Sequence, residues 1–282
     1  MLTTNFTDIN GVTFELFDGG NQDGEPVMFV HGTGCVGFPA AVQESALAES
    51  YRLIHIYRRG FGKSEAPDSS MSIKDNARDF REVMKHLGIE RAHFVSVSAG
   101  SVILLQYAHD FPATVHSLTL IEPPFSWICD PDPDNLASAE EAGALYMAGD
   151  KAGAVHTFAK EVAGENYYAQ FDANLPDGWF DHWVDEVDTM VQVEEPALGQ
   201  WTFSREDATR ITQPALNVTG SDTRPYFRTC HETVKSWIPH AENVVMPNAG
   251  HVLPLTHPEG FAELVAGFLS RHPISETSKL TG

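Results

Sequence analysis

The sequence predicts an α/β fold: a mostly parallel sheet flanked by helices, with a helical insertion between the two halves of that sheet. Three observations carry the prediction. Short apolar runs alternate with stretches of helical periodicity along most of the 282 residues, the pattern of a parallel sheet covered by helices. The alternation stops after Glu122-Pro123-Pro124, and from Phe125 to about Asp207 the chain is acidic, aromatic and helical in period, without a convincing strand. It resumes at Pro214-Ala215-Leu216-Asn217-Val218-Thr219-Gly220. Residues 1–124 and 208–282 are therefore expected to form the core, and residues 125–207 the insertion.

The elements follow in order. Phe6 to Ile9 and the alternating Val12, Phe14 and Leu16 flank Asn10-Gly11, a strong two-residue hairpin signal. Pro26 to Val30 reads as a buried strand running into His31-Gly32-Thr33-Gly34. Tyr51 to Tyr57 is a second, ending at Arg58-Arg59-Gly60-Phe61-Gly62. Ser72-Ile73-Lys74-Asp75 resembles a capping box, opening a helix that ends near His86-Leu87-Gly88. The strand Ala92 to Val97, a helix from Ala99 to His109 and the strand Val115 to Ile121 come next. Inside the insertion, helices are expected over Ser138 to Met147, Lys151 to Val162 and Asp181 to Val193. A helix through Trp237, the strand Glu242 to Met246 and a last helix from Pro258 to Leu269 complete the chain.

Composition narrows the function. The chain carries 39 acidic against 18 basic residues, a formal charge of −21, which repels nucleic acid phosphates and anionic lipid and sets both aside as partners. Cys35, Cys129 and Cys230 are too few and too scattered for a disulfide framework, and no CxxC pair suggests a metal. The segment Met1 to Asn5 has neither the basic nor the apolar region of a signal peptide, and no apolar run reaches membrane-spanning length. A soluble, cytoplasmic setting is expected, with a small molecule as the partner.

Ser96-Val97-Ser98-Ala99-Gly100 falls at a strand-to-helix junction, where a tight turn lifts a nucleophilic serine to the carboxyl edge of a sheet. Alone it is a weak signal and reads better as an ordinary helix N-cap serine. An acyl-transfer centre also needs donors for a developing oxyanion, and the backbone amides of Ala99 and Thr33 are placed to supply them. His251, in Asn248-Ala249-Gly250-His251 just after the last strand, is the best-placed general base of thirteen histidines. His86 and His109 lie near helix ends, where a partial positive charge is favoured anyway, and His257 adjoins a helix cap. The acid that would orient His251 stays open between Glu122, ending the strand after the nucleophile helix, and Asp222, in the loop past the next core strand.

In their joint order, His31-Gly32, Arg59-Gly60-Phe61-Gly62-Lys63-Ser64, Ser96-Val97-Ser98-Ala99-Gly100 and Gly250-His251 resemble the α/β-hydrolase family over nearly the whole chain. The resemblance implies an eight-stranded type of sheet and a helical cap over the nucleophile. It departs from the family at Tyr57, where an aspartate is usual, and the adjoining glycine turn is read as structural. In the family the acid commonly stands where Thr223 does here. A second branch, similar to some lactone hydrolases and haloalkane dehalogenases, places it where Glu122 is, so Glu122 is preferred over Asp222. A serine at 98, where dehalogenases and epoxide hydrolases need aspartate, argues against those chemistries.

The implied reaction is cofactor-free and metal-free acyl transfer through an acyl-enzyme on Ser98, with His251 as base. Cap aromatics, chiefly Phe125, Trp127 and Trp183, are expected to line a pocket for a small, largely apolar ester or lactone. The same serine–histidine pair also serves carbon–carbon bond hydrolysis or lyase action in relatives of this scaffold, and a ligand-binding homologue with little turnover is a third reading.

Overall fold

The computed structural model describes residues 3–34, 38–125, 129 and 133–274. Eight strands form one sheet in the order β1-β2-β4-β3-β5-β6-β7-β8. β1 (Asn5–Ile9) and β2 (Val12–Gly20) form the expected hairpin, and both turn residues take positive φ, 56° at Asn10 and 82° at Gly11. β2 pairs antiparallel with β4 (Arg52–Ile56), and every later pairing is parallel. β3 (Pro26–Val30) and β5 (Ala92–Val97) occupy the middle, buried on both faces; β3 is an unbroken apolar run, whereas β5 carries the buried polar residues His93 and Ser96 among its apolar ones.

One face of the sheet is covered by α3 (Ile73–His86), α4 (Ala99–Asp110) and α11 (Pro225–Trp237), with Ile73, Phe80, Val102, Leu105, Phe227 and Val234 in its core. The capping box at the start of α3 is present, Ser72 Oγ accepting from the Asp75 amide at 3.2 Å while Asp75 accepts from the Ser72 amide. The other face is covered by two single-turn helices, α1 (Pro39–Val42) and α2 (Ser45–Ala48), and by the last helix, α13 (Pro258–Ser270). Phe38, Leu47, Phe261 and Phe268 fill that side.

Among the described residues between β6 (Val115–Ile121) and β7 (Ala215–Gly220) lie six helices: α5 (Pro133–Met147), α6 (Lys151–Ala163), α7 (Tyr167–Asn174), α8 (Trp179–Thr189), α9 (Glu195–Gln200) and α10 (Arg205–Ala208). A five-residue π-helical segment, Met190–Glu194, joins α8 to α9. Val155, Ala159, Tyr167, Phe171, Trp179, Trp183 and Val187 make a separate apolar cluster here, joined from the core by Leu255 of the single-turn helix α12 (Leu253–Thr256). Phe125 and the stretch from Ala197 through Trp201 and Phe203 pack instead with the main core, so the packing boundary lies inside residues 125–207. Trp201 Nε1 donates to Gln106 Oε1 of α4 at 2.8 Å. The last strand, β8 (Glu242–Met246), closes the sheet edge beside β7. Among the described residues no helix is long and apolar enough to cross a membrane.

Candidate active site

Ser98 stands between β5 and α4 at φ 53° and ψ −128°, a conformation that strains any residue with a side chain. Three local features force it there. Its amide donates to Ile121 O at 2.8 Å, tying the turn to β6. Ser96 Oγ donates to Thr119 O at 2.9 Å, and Ser101 Oγ donates to Ile121 O at 3.1 Å, so two hydroxyls pin the end of β5 and the start of α4 to β6. Gly100 lets α4 lie directly on β3: a Cβ there would stand 2.1 Å from Val30 O. Gly32 is the matching gap on the other side, where a Cβ would stand 3.0 Å from Ser98 Cβ. The small residues around the serine are thus spaces into which neighbouring backbone fits.

Glu122 follows β6 directly, also at positive φ, 45°, which turns its side chain back along the sheet edge. It is completely buried and accepts four hydrogen bonds. Thr219 Oγ1 (2.6 Å) and the Gly220 amide (2.9 Å) donate to Oε1; Thr223 Oγ1 (2.9 Å) and His251 Nδ1 (2.6 Å) donate to Oε2. Burial by itself would raise this carboxyl. The bond and charge of His251, with the Thr219 and Gly220 bonds, outweigh burial and hold Glu122 below the ordinary carboxylate range. His251 is buried too, its ring stacked on Phe227 with centroids 3.7 Å apart and planes 14° from parallel. With Nδ1–H donating to Glu122, Nε2 is the ring nitrogen left for another partner.

Asp222, the alternative acid, is exposed; its Oδ1 accepts from Ser221 Oγ at 2.8 Å and its amide donates to Ala249 O at 2.9 Å. Its neighbour Thr223 donates to Glu122 instead. The structure brings Glu122 to the imidazole and leaves Asp222 in the solvent.

His31 holds the other side of the site. It is fully buried, and its Nε2 accepts the Arg58 amide at 3.0 Å, which fixes the proton on Nδ1. Nδ1–H then donates to the carbonyls of Gly32 (2.8 Å) and Gly34 (3.0 Å). Burial, and after it the charges of Arg58 and His55, keep the ring well below its ordinary pKa and therefore neutral. With both carbonyls held by His31, the loop carrying Thr33 is fixed in place. Arg58 Nη2 adds a bond to Gly32 O at 2.8 Å and an ion pair with Glu194 Oε1 at 2.6 Å, both partners almost wholly buried. The insertion docks on the glycine turn that follows: the Gly62 amide donates to Glu186 Oε1 (2.7 Å), and Thr189 Oγ1 donates to Gly60 O (2.9 Å). Sequence reasoning found the turn but not these partners, which lie more than a hundred residues away.

Ser98, His251, Thr33 and Trp183 line one cavity together with Gly32 and Gly34, and Val97, Phe158, Val162, Val252 and Pro254 complete its wall. The first amide of α4 belongs to Ala99, beside Ser98, and has no partner within its own helix. Of the expected pocket aromatics, Trp183 is in the wall. Phe125 is corrected: it is not among the lining residues but packs in the core, stacked on Trp237 with centroids 5.8 Å apart. Trp127 lies outside the described residues. No group of three or more His, Cys, Asp or Glu among the described residues is arranged to hold a metal ion.

Comparison with known proteins agrees with this architecture. The profile of the alpha/beta hydrolase fold family matches residues 25–258. A candidate carbamate hydrolase, RutD of Variovorax paradoxus, is 28% identical over 260 residues, covering 89% of this chain and 94% of that protein. Among solved structures, carboxylesterase CesB from Bacillus subtilis superposes with a TM-score of 0.75 at 21% identity, covering 95% of this chain and 91% of that one. An N-acyl homoserine lactone degrading enzyme does so with a TM-score of 0.72 at 23% identity, covering 94% and 100%.

Proposed function

The chain belongs to the α/β hydrolase family, and within it we propose a serine hydrolase that cleaves a small carboxylic ester or lactone through an acyl-enzyme. The observation that carries this reading is the 2.6 Å bond from His251 Nδ1 to buried Glu122, with Ser98 on the same cavity wall as His251. Glu122 fixes the tautomer in which Nε2 accepts the Ser98 proton. Ser98 Oγ then attacks the carbonyl, and the amides of Thr33 and Ala99 receive the oxyanion. The leaving alcohol takes the proton back from His251, and water activated by the same ring releases the acid. The helical insertion acts as a cap over Ser98.

The cavity encloses about 30 Å³, room for about two waters. A site of that size favours a short acyl group. The test is release of p-nitrophenol from short-chain p-nitrophenyl esters by wild type and Ser98→Ala. Hydrolysis by wild type that vanishes in the variant supports the reading, and equal activity in both overturns it. The relative described as a candidate carbamate hydrolase favours a second reading, a carbamate in place of the ester. A p-nitrophenyl carbamate turned over continuously, rather than releasing one equivalent and stalling, would support it.

A further inference from the structure

Trp183 is 2% exposed, and its indole Nε1 is buried without a hydrogen-bond partner among the described residues, a donor the acyl-transfer scheme does not use. Its place is tightly set. Phe171 stacks on the ring (5.9 Å, 23°) and Phe158 meets it edge-on (6.0 Å, 86°). On the same helix, Glu186 and Thr189 bond the turn at Gly60 and Gly62, so α8 cannot slide relative to the core. Nε1 itself lies against Gly34, one residue beyond Thr33: a Cβ at that position would come within 2.6 Å of the nitrogen. Gly34 has φ 70°, and its missing side chain is what admits the N–H edge of the ring to the oxyanion loop. Trp183 and Gly34 both line the cavity that holds Ser98 and His251.

A buried N–H left without an acceptor costs free energy, whereas the same N–H meeting a ligand oxygen recovers it. A water in the cavity could serve in the free protein, but a substrate that displaces it has to replace the acceptor it removes. An all-carbon acyl chain cannot do so. Resting on the serine hydrolase reading above, we propose that Trp183 is a specificity-determining residue: its indole N–H selects substrates whose acyl group carries a second oxygen acceptor beyond the scissile carbonyl.

The test uses two esters of the same shape, p-nitrophenyl methoxyacetate and p-nitrophenyl butyrate, which differ by one ether oxygen in place of a methylene. Their unequal intrinsic reactivity cancels when the ratio of their kcat/KM values is compared between wild type and Trp183→Phe. The ratio is expected to fall about tenfold in the variant, the effect of one hydrogen bond to a buried donor. A ratio unchanged within twofold, including an equal loss on both esters, overturns the proposal, because the indole would then serve only packing or the oxyanion. A second measurement needs neither turnover nor a stable Trp183 variant. In Ser98→Ala protein, the ¹⁵N–¹H resonance of the Trp183 indole should shift with ethyl methoxyacetate and not with ethyl butyrate. The same response to both, or to neither, also overturns it. If instead Ser98→Ala retains full hydrolysis, the serine hydrolase reading fails, and the indole resonance still decides for or against Trp183 as an acceptor-seeking donor.

Discussion

Replacing Glu122 by glutamine tests the site most sharply, because the structure dictates which way the new amide points. Oε1 of Glu122 accepts the Gly220 backbone amide, a donor that cannot be reversed, so the carboxamide oxygen of glutamine has to stay on that side. The new NH₂ is then forced to the Oε2 position, facing Thr223 Oγ1 and His251 Nδ1. The threonine hydroxyl can rotate and accept. The imidazole can accept only by moving its proton to Nε2, the nitrogen that should receive the proton of Ser98. The fold is retained and the base is disabled. A wrong tautomer in a serine–histidine–acid centre costs about 10³ to 10⁴ in kcat, which corresponds to about 4 to 5.5 kcal/mol of activation free energy. The assay is kcat and KM for p-nitrophenyl acetate with wild type, Glu122→Gln and Asp222→Asn, alongside a thermal melt of each. The expectation is a loss of that size for Glu122→Gln at nearly unchanged Tm, and less than about twofold for exposed Asp222→Asn. A Glu122→Gln enzyme within tenfold of wild type would refute the assignment of the acid, as would an equal loss from Asp222→Asn.

Three further outcomes are expected. Both ring nitrogens of His55 are buried without partners among the described residues, and burial pushes its pKa down to about 3. The unfolded chain therefore binds that proton first: the stability contribution is complete above about pH 6.5 and declines as pH falls toward 3, by about 2–3 kcal/mol between pH 6.5 and 4.5. Urea titrations of His55→Leu and wild type should diverge by that amount over this interval, and parallel pH curves would show that the ring is not buried neutral. Gly100→Ala puts a Cβ 2.1 Å from Val30 O, backbone that cannot give way cheaply; a loss of about 3 kcal/mol or more, read by denaturant unfolding or as failure to fold, is expected. Glu194→Gln leaves the buried Arg58 guanidinium without its counter-charge, at a cost of roughly 3 kcal/mol and several degrees in Tm. An unchanged melt for that variant would mean that the insertion is not held through this pair.

The parts of the fold legible in the sequence are those where one physical requirement dominates. β3, β5, β6 and β8 coincide with the runs read from apolar patterning, and the hairpin turn was fixed by Asn10-Gly11, residues that tolerate positive φ. Ser98 stood out because a strand-to-helix turn needs small residues on both sides. The helix Tyr167–Asn174 escaped notice, since eight residues mixing aromatics, acids and amides give no clear apolar stripe. The choice between Glu122 and Asp222 was undecidable from position alone, both being at the carboxyl edge of the sheet. What separates them is the backbone at residue 122 and three donors, Thr219, Gly220 and Thr223, gathered from another strand and its loop. Phe125 shows the converse limit: an aromatic signals burial but not which apolar cluster receives it. Nor does any local signal join Arg58 to Glu194 or turn the Trp183 indole toward Gly34.

Placing Glu122 at the end of β6 has a further consequence for the modularity of the chain. Ser98 and Glu122 belong to one continuous β–α–β unit, β5–α4–β6, and their spacing is set by adjacent parallel strands and the hydroxyls of Ser96 and Ser101. The insertion begins only after that unit is finished. Changes of length or sequence in it therefore leave the serine–glutamate spacing alone and reach the site from outside that unit: through the cavity wall at Phe158, Val162 and Trp183, through the Arg58–Glu194 pair beside Gly32, and through the loop carrying His251, whose following helix α12 lends Leu255 to the insertion's cluster. Such a layout separates the part that can diversify from the part that has to stay rigid, and it marks the stretch from α5 to α8 as the segment to exchange when grafting a new binding chamber onto this scaffold.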